Sequence, residues 1–465
     1  MLSQHVNVFS DRTRKIFSFE NLQKTAGKTG FYKRKGKLTP EKFFDLLLYC
    51  SSISKPVSLE YCVSRLSIEH DVTNTKQSLD GRFNEGAVAF VKDVLRQALE
   101  LELGHILVKN LFKQFNYVRI KDSTKFNVDN RLEKYFKGSG GNGTRKACVC
   151  IQYEYDIKTG KILDLSITPG IINDAANAKE TQFNINKDDL VIRDLGYYNL
   201  DVLTSFNTKR AYFVSRLNMS TIIFNPKSEQ QISFEDLYQE MIDKECPTIE
   251  MDVLVSKSKK KRYRLVVTIL PEEEYQKRIR KVNKKNKESG HTTSKDYKAR
   301  ARFNMFITNV SGKIISMQEL LLLYRIRWQI ELTFKTWKSV CGIDKLQPMK
   351  YCRFICLLMT RLILIVLRLK LFWMVQSHVF KQKKKFLSMD KCFKTFQETF
   401  QLLRDIFKSS KKESRKNVKE YIKIFSENHW KEKRKKRENY EKIIGLFVCK
   451  TDYYDYIDNE KSRVA

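Results

Sequence analysis

Over the first 112 residues apolar positions recur at helical spacing, as in Phe43, Leu46 and Leu47, and in Val88, Phe90, Val91, Val94, Leu95 and Leu99. Ser58-Leu59-Glu60-Tyr61 and Thr39-Pro40-Glu41 have the form of helix starts, a capping side chain followed by early acids. At residue 116 the period changes. Residues 116–121 predict a strand that ends at Asp122-Ser123-Thr124, and residues 147–157 and 161–168 predict a hairpin turning at Lys158-Thr159-Gly160. Residues 190–193 predict a short buried strand followed at once by Asp194-Leu195-Gly196-Tyr197, and residues 211–216 predict another. Residues 218–300 read as an insertion, with a helix at 234–242, strands at 248–255 and 263–270, and a basic run at 277–287. Strand pattern resumes at 304–309. A Ser316-x-x-Glu319 capping box then opens one long helix that Gly342 can stop. Residues 343–465 are helical. Their most apolar stretch, 354–375, is interrupted by Arg361, Arg368 and Lys370, which predicts a buried helix and not a membrane span. The order of elements indicates a mixed α/β domain between helical regions.

Composition adds a partner class. The chain has 465 residues, 88 Lys+Arg against 53 Asp+Glu, and a net charge of +35. With 42% hydrophobic residues and only 17 Gly and 7 Pro, it can bury a core and is neither disordered nor collagenous. Lys and Arg at this density gain most on closely spaced phosphates, where counterions are released, so a polyanion is the expected partner. Ten Cys include no C-x2-C pair, and the six His do not group near them. Zinc modules and disulfide scaffolds are therefore not expected, and a reducing compartment is. The first residues, MLSQHVNVFSDRTRK, lack the apolar core of a signal peptide. The short N-terminal helices suit either a helix-turn-helix DNA reader or a helical cap on the next domain.

Several features are assigned ordinary roles. The glycine-rich residues 138–143 are a connector without a phosphate-loop signature. Cys148 and Cys150 alternate in a strand as small hydrophobes. His70 and His105 have no partner spacing of a ligand set. Asn173-Asp174, after Thr168-Pro169-Gly170, is read as a turn pair over a DNA-facing one. The basic runs 381–385 and 431–437 are solvated faces or phosphate contacts.

Three acids stand out by position. Asp122 and Asp194 close predicted strands and Glu331 lies on the long helix. Carboxylates at the ends of neighbouring strands converge on one sheet edge, and a packed helix can add a third. Such a trio suits two Mg²⁺ ions about 3.5–4 Å apart, hard cations that prefer oxygen over His or Cys. On the helix, Tyr324, Arg327, Glu331 and Lys338 fall within about 60° of one another at roughly 100° per residue. Ile326, Ile330, Phe334 and Trp337 supply the apolar packing beside them. An Arg and a Lys flanking a metal-ligand Glu suit a bent phosphate backbone. The plain alternative is a surface helix on which Arg327 and Glu331 form an ordinary i,i+4 pair.

Taken together, these motifs resemble the DDE transposases of bacterial insertion sequences, in the branch marked Y-x2-R-x3-E-x6-K (insertion sequence family four). Tyr324-x2-Arg327-x3-Glu331-x6-Lys338 matches that signature at every position, Asp194-Leu195-Gly196-Tyr197 resembles the second-Asp motif and Asp122-Ser123-Thr124 the first. The resemblance covers about residues 115–345. It implies a ribonuclease-H-like catalytic core interrupted by a β-rich insertion, with helical N-terminal and C-terminal regions. The implied division is a helical DNA-binding domain at 1–112, a first core part at 113–217, a basic insertion at 218–300, a second core part at 301–345 and a basic helical region at 346–465.

The resemblance further implies cut-and-paste transposition at terminal inverted repeats. Asp122, Asp194 and Glu331 would be the catalytic metal ligands, for two Mg²⁺ with Mn²⁺ able to substitute. Arg327 and Lys338 would grip end phosphates and Tyr324 would order that strand. The partners would be the repeats and target DNA as double strands, with a dimer in the synaptic complex, no membrane, and a bacterial cytoplasmic, nucleoid-associated location. A nuclease of the same core without strand transfer and an inactive repeat-binding repressor are the alternatives. One departure is visible. Some members stack a flipped base on a Trp of the insertion, yet Trp328, Trp337, Trp373 and Trp430 all lie outside residues 195–327. Phe224, Tyr238 and Tyr263 are the candidates to replace it.

Overall fold

The computed structural model describes residues 2–53, 57–101, 112–140, 146–255, 261–383 and 385–432. His105, Cys449, residues 141–143 of the glycine stretch, Lys384 and 433–437 of the two basic runs and residues 438–465 lie outside them.

The chain opens with helices α1 (Leu2–Ile16), α2 (Phe19–Lys28), α3 (Pro40–Ser52), α4 (Leu59–His70), α5 (Lys76–Arg82) and α6 (Glu85–Leu99). The expected caps are present. Thr39 accepts from the Lys42 N–H and Ser58 from the Tyr61 N–H, satisfying donors that a first helical turn leaves open. There follow β1 (Val118–Asn127), β2 (Cys148–Asp156), β3 (Ile162–Pro169), α7 (Asp174–Thr181), β4 (Leu190–Arg193), α8 (Leu200–Thr208) and β5 (Tyr212–Arg216). The next segment holds β6 (Ile223–Phe224), α9 (Phe234–Asp243), β7 (Thr248–Val255), β8 (Lys261–Ile269), α10 (Glu272–Glu288) and α11 (Lys295–Ala301). The chain continues through β9 (Phe303–Thr308), α12 (Met317–Ile326), α13 (Trp328–Ser339), α14 (Tyr351–Lys383), α15 (Met389–Glu398), α16 (Phe400–Lys408) and α17 (Lys411–Asn428).

Among the described residues the strands form one sheet in the order β3-β2-β1-β4-β5-β9-β8-β7-β6. β1, β4 and β5 are parallel neighbours, and the remaining pairings are antiparallel. Because β9 pairs with β5 on one side and β8 on the other, the strands of 218–300 extend the sheet instead of forming their own. The basic run 277–287 lies on α10.

Two further features differ from the sequence expectation. β1 does not end at Asp122 but runs to Asn127, because β2 pairs with it from Arg119 to Asn127. β4 pairs only with Val118–Lys121, so Asp122 is the first β1 residue beyond that pairing. The long helix is in fact two, α12 and α13, joined at Arg327. Bonds from Arg327 N–H to Tyr324 O and from Ile330 N–H to Arg327 O tighten the chain there into an i→i−3 step.

Each sheet face has its own core. Val118, Ile120, Tyr153, Tyr155 and Ile192 face a large helical core that includes Trp337 and most of α14. Val191, Phe213, Leu265 and Ile307 face a second core with Tyr197, Phe206 and Phe234. α14 runs through the helical side against α3 and α6, about 50 Å long at 1.5 Å per residue. Its internal cations donate to backbone and amide oxygens, although Arg361 Nε and Arg368 Nε and Nη2 find no partner among the described residues. Arg361 donates to Gly342 O and Ile53 O, Arg368 to Gln397 Oε1, and Lys370 to Leu99 O and Leu101 O. Among the described residues, no helix is long and apolar enough to cross a membrane. The N-terminal helices share the core that holds α14, and Asp45 on α3 accepts from Arg404 on α16 at 2.9 Å.

Candidate active site

The sheet and the α12–α13 joint bring together residues far apart in sequence. Asp122 projects from β1 on the helical face, Asp194 follows the last residue of β4 on the neighbouring strand, and Glu331 is in the first turn of α13. Arg327 touches all three. Its Nη1 is 3.4 Å from Asp122 Oδ2, its Nε 3.7 Å from Asp194 Oδ1, and its Nη2 2.7 Å from Glu331 Oε1. The Tyr324 hydroxyl donates to Asp194 Oδ1 at 3.3 Å, and Tyr324 is otherwise buried against Phe306. Lys338 donates to the Lys125 carbonyl on β1 at 2.9 Å, so it lies along the same strand. The tightened joint at Arg327 and the burial of Ile326, Ile330, Phe334 and Trp337 hold this face towards the sheet.

The electrostatics are unbalanced. Three carboxylates share one guanidinium, and burial pushes the Asp122 carboxyl up to about 6 even though the Ser123 N–H and Arg327 pull it down. Asp194 and Asp174 add to the upward push. Asp194 and Glu331 keep 40% and 42% of their side chains exposed, so the site is open to a ligand. Among the described residues, no three His, Cys, Asp or Glu side chains stand ready to hold an ion, because Arg327 lies between the acids. In chemistry the donors nevertheless fit a hard divalent cation. All are carboxylate oxygens, and their negative charge exceeds what Arg327 neutralises.

Asp174, read from the sequence as a turn residue, sits at the start of α7 with Asn173 as its cap. It accepts from Ser123 Oγ at 2.8 Å, next to Asp122. The only sequence signal for this was Asn-Asp after a Pro-Gly turn. Of the insertion aromatics, Tyr263 is buried against Phe213 with its hydroxyl near Asn207, so it cannot receive a base without opening the core. Tyr238 packs on Phe303 under Arg302, and Phe224 is half-buried at the end of β6. Trp328, beside Arg327, is half-exposed at the helix joint.

Residues 113–367 match the family model described as "Transposase DDE domain". The transposase for insertion sequence element IS231F of Bacillus thuringiensis subsp. israelensis is 30% identical, over 100% of this chain and 99% of its own length. The transposase for insertion sequence element IS1151 of Clostridium perfringens is 29% identical, over 96% and 98%. Among solved structures, the piggyBac transposase synaptic complex with hairpin DNA aligns over 94% of this chain and 84% of that one, at 10% identity and a TM-score of 0.43. The sequence relatives decide the class: this chain belongs to the DDE transposases of insertion sequences, in family four. It is a DNA-cleaving and strand-transferring enzyme of a family that uses divalent metal ions, and the nuclease and repressor alternatives are not favoured.

Proposed function

We propose that residues 113–217 and 301–345 form a ribonuclease-H-like core that cuts DNA at the terminal inverted repeats of an insertion sequence and joins the freed 3′ hydroxyl to target DNA. The strand order β3-β2-β1-β4-β5, antiparallel then parallel, supports that fold. Asp122, Asp194 and Glu331 would hold two Mg²⁺, with Mn²⁺ able to substitute. Ions so bound supply an activated water or hydroxyl and a stabilised leaving oxygen. The observation that carries the reading is the contact of one guanidinium with acids from three separate elements.

Arg327 holds the acids together against their mutual repulsion. Its planar fork matches phosphate as well as carboxylate, so an end phosphate competes for the same N–H groups. Lys338 adds a second cation for that backbone, and Tyr324 helps order the strand while its hydroxyl fixes Asp194.

The flanking regions extend the DNA path. Lys33, Arg34, Lys35 and Lys37 are exposed between α2 and α3, within the proposed DNA-binding domain at 1–112. Lys281, Lys284, Lys285 and Lys287 are exposed on α10 of the insertion. The basic region 346–465 is proposed to act alongside them, and pairing two ends calls for a dimer in the synaptic complex. The test is a repeat-end duplex with Mg²⁺ and target DNA. Wild type should cut and join, chelation should stop both, and Asp194→Ala should do neither. Equal cutting by both proteins sinks the reading, and cutting without joined product leaves only a nuclease.

A further inference from the structure

One polar chain links the two aspartate motifs from the sheet face opposite Asp122. Ser123 lies directly across from Gln152 in the β1–β2 register. Asp174 Oδ1 accepts from Ser123 Oγ at 2.8 Å and from Gln152 Nε2 at 3.4 Å. Gln152 Oε1 in turn accepts from the buried Tyr197 hydroxyl at 2.6 Å. Tyr197 ends the Asp194-Leu195-Gly196-Tyr197 turn. Gly196 comes so close to Asp174 that an added Cβ would lie 3.1 Å from its Oδ2. Asn173 caps α7 by accepting from the Ala176 N–H at 2.8 Å, which fixes the place from which Asp174 reaches the sheet.

We propose that Asp174 is a positioning residue that sets the separation of Asp122 and Asp194 by bridging Ser123 on β1 to the Asp194–Tyr197 turn. It acts as a hydrogen-bond acceptor through both neighbours. Ser123 carries Asp122 on its amide side, and the Gln152–Tyr197 pair holds the far end of the turn that begins at Asp194. This rests on the proposal that Asp122 and Asp194 hold the metal. Residues that orient ligands without touching the ion cost about 10–100-fold in affinity when removed.

The experiment titrates Mn²⁺ alone against the full chain, following free Mn²⁺ by electron paramagnetic resonance. A parallel titration follows repeat-end cleavage against Mn²⁺ concentration. Asp174→Ala should raise the half-saturating Mn²⁺ by about 10–100-fold in both. Asp174→Asn keeps an acceptor oxygen and should recover most of that loss. Ser123→Ala should shift in the same direction, and combining it with Asp174→Ala should add little, because both cut one link. The Ser123→Ala variant also stands in if Asp174→Ala fails to fold. Asn as weak as Ala overturns the positioning role in favour of the charge itself, and Ala titrating like wild type overturns it outright. Asp194→Ala separates the two levels. If it also binds Mn²⁺ like wild type, the underlying site reading fails. If it loses Mn²⁺ while Asp174→Ala does not, the positioning role alone fails.

Discussion

Strand β1 carries two charge clusters on opposite faces, and they are built by different rules. On one face Arg119, Lys121 and Arg193 meet Glu154, Asp164 and Asp189, three cations to three acids. Arg119 reaches Glu154 at 3.0 Å and Asp189 at 2.9 Å, and both acids are almost wholly buried. On the other face Asp122, Asp194 and Glu331 have Arg327 as their one ion-pair cation among the described residues, and two of the acids are open to solvent. The carboxyls respond in opposite senses. Burial alone would raise Glu154, but Arg193 and Arg119 outweigh it and hold it down to about 2. Asp122 is pushed up to about 6. A structural network brings its own counterions, whereas a site that receives ligands leaves charge uncompensated.

That contrast can be broken first at Asp122. Asp122→Asn should cut repeat-end cleavage by about a thousandfold or more, as loss of a group acting as part of a catalytic unit does. It also removes one of three mutually repelling charges, so the protein should melt no lower than wild type. A lower melt with retained cleavage would place Asp122 in the structural class. The reverse holds for Glu154→Gln, which strands Arg193 in the interior and leaves Arg119 with Asp189 as its remaining acid. It should destabilise the fold by about 3–5 kcal/mol, read as a lower denaturation midpoint. A midpoint equal to wild type would mean that the two faces do not differ.

Acid sharpens the same comparison. A carboxyl depressed on folding stabilises above its unfolded value and loses that contribution as pH falls through the folded one. For Glu154 the contribution is intact above about 4.5 and is lost between 4.5 and about 2. The melting temperature of Glu154→Gln should therefore fall less steeply than wild type over that window, and parallel slopes would remove Glu154 from acid unfolding. The smallest effect belongs to Lys338, a half-buried cation. Lys338→Ala should lower the slope of log affinity for a repeat-end duplex against log salt by about 1. An unchanged slope would show that it does not face phosphate.

Local chemistry was readable residue by residue. Thr39, Ser58 and the Ser316–Glu319 box cap the helices that their spacing announced, because a cap is decided within four residues. The strand at 248–255 was likewise placed within its true bounds. The extension of β1 past Asp122 was not readable, since Lys-Asp-Ser-Thr-Lys has no strand pattern and stays extended only through pairing with β2. Nor was the break at Arg327, where helical spacing continues unbroken although the helix does not. Asp174 was set aside because its partners, Ser123 and Gln152, lie 51 and 22 residues away.

By itself the sequence determined the alternation of elements, the basic surplus of +35 and the order and spacing of Asp122, Asp194, Tyr324, Arg327, Glu331 and Lys338. These depend on side-chain identity and short-range period. Only the tertiary structure decided that the segment 218–300 extends one continuous sheet, that the N-terminal helices share a core with α14, and that Arg327 sits among three acids. Those outcomes follow from strand pairing and burial between distant residues, which no local pattern encodes.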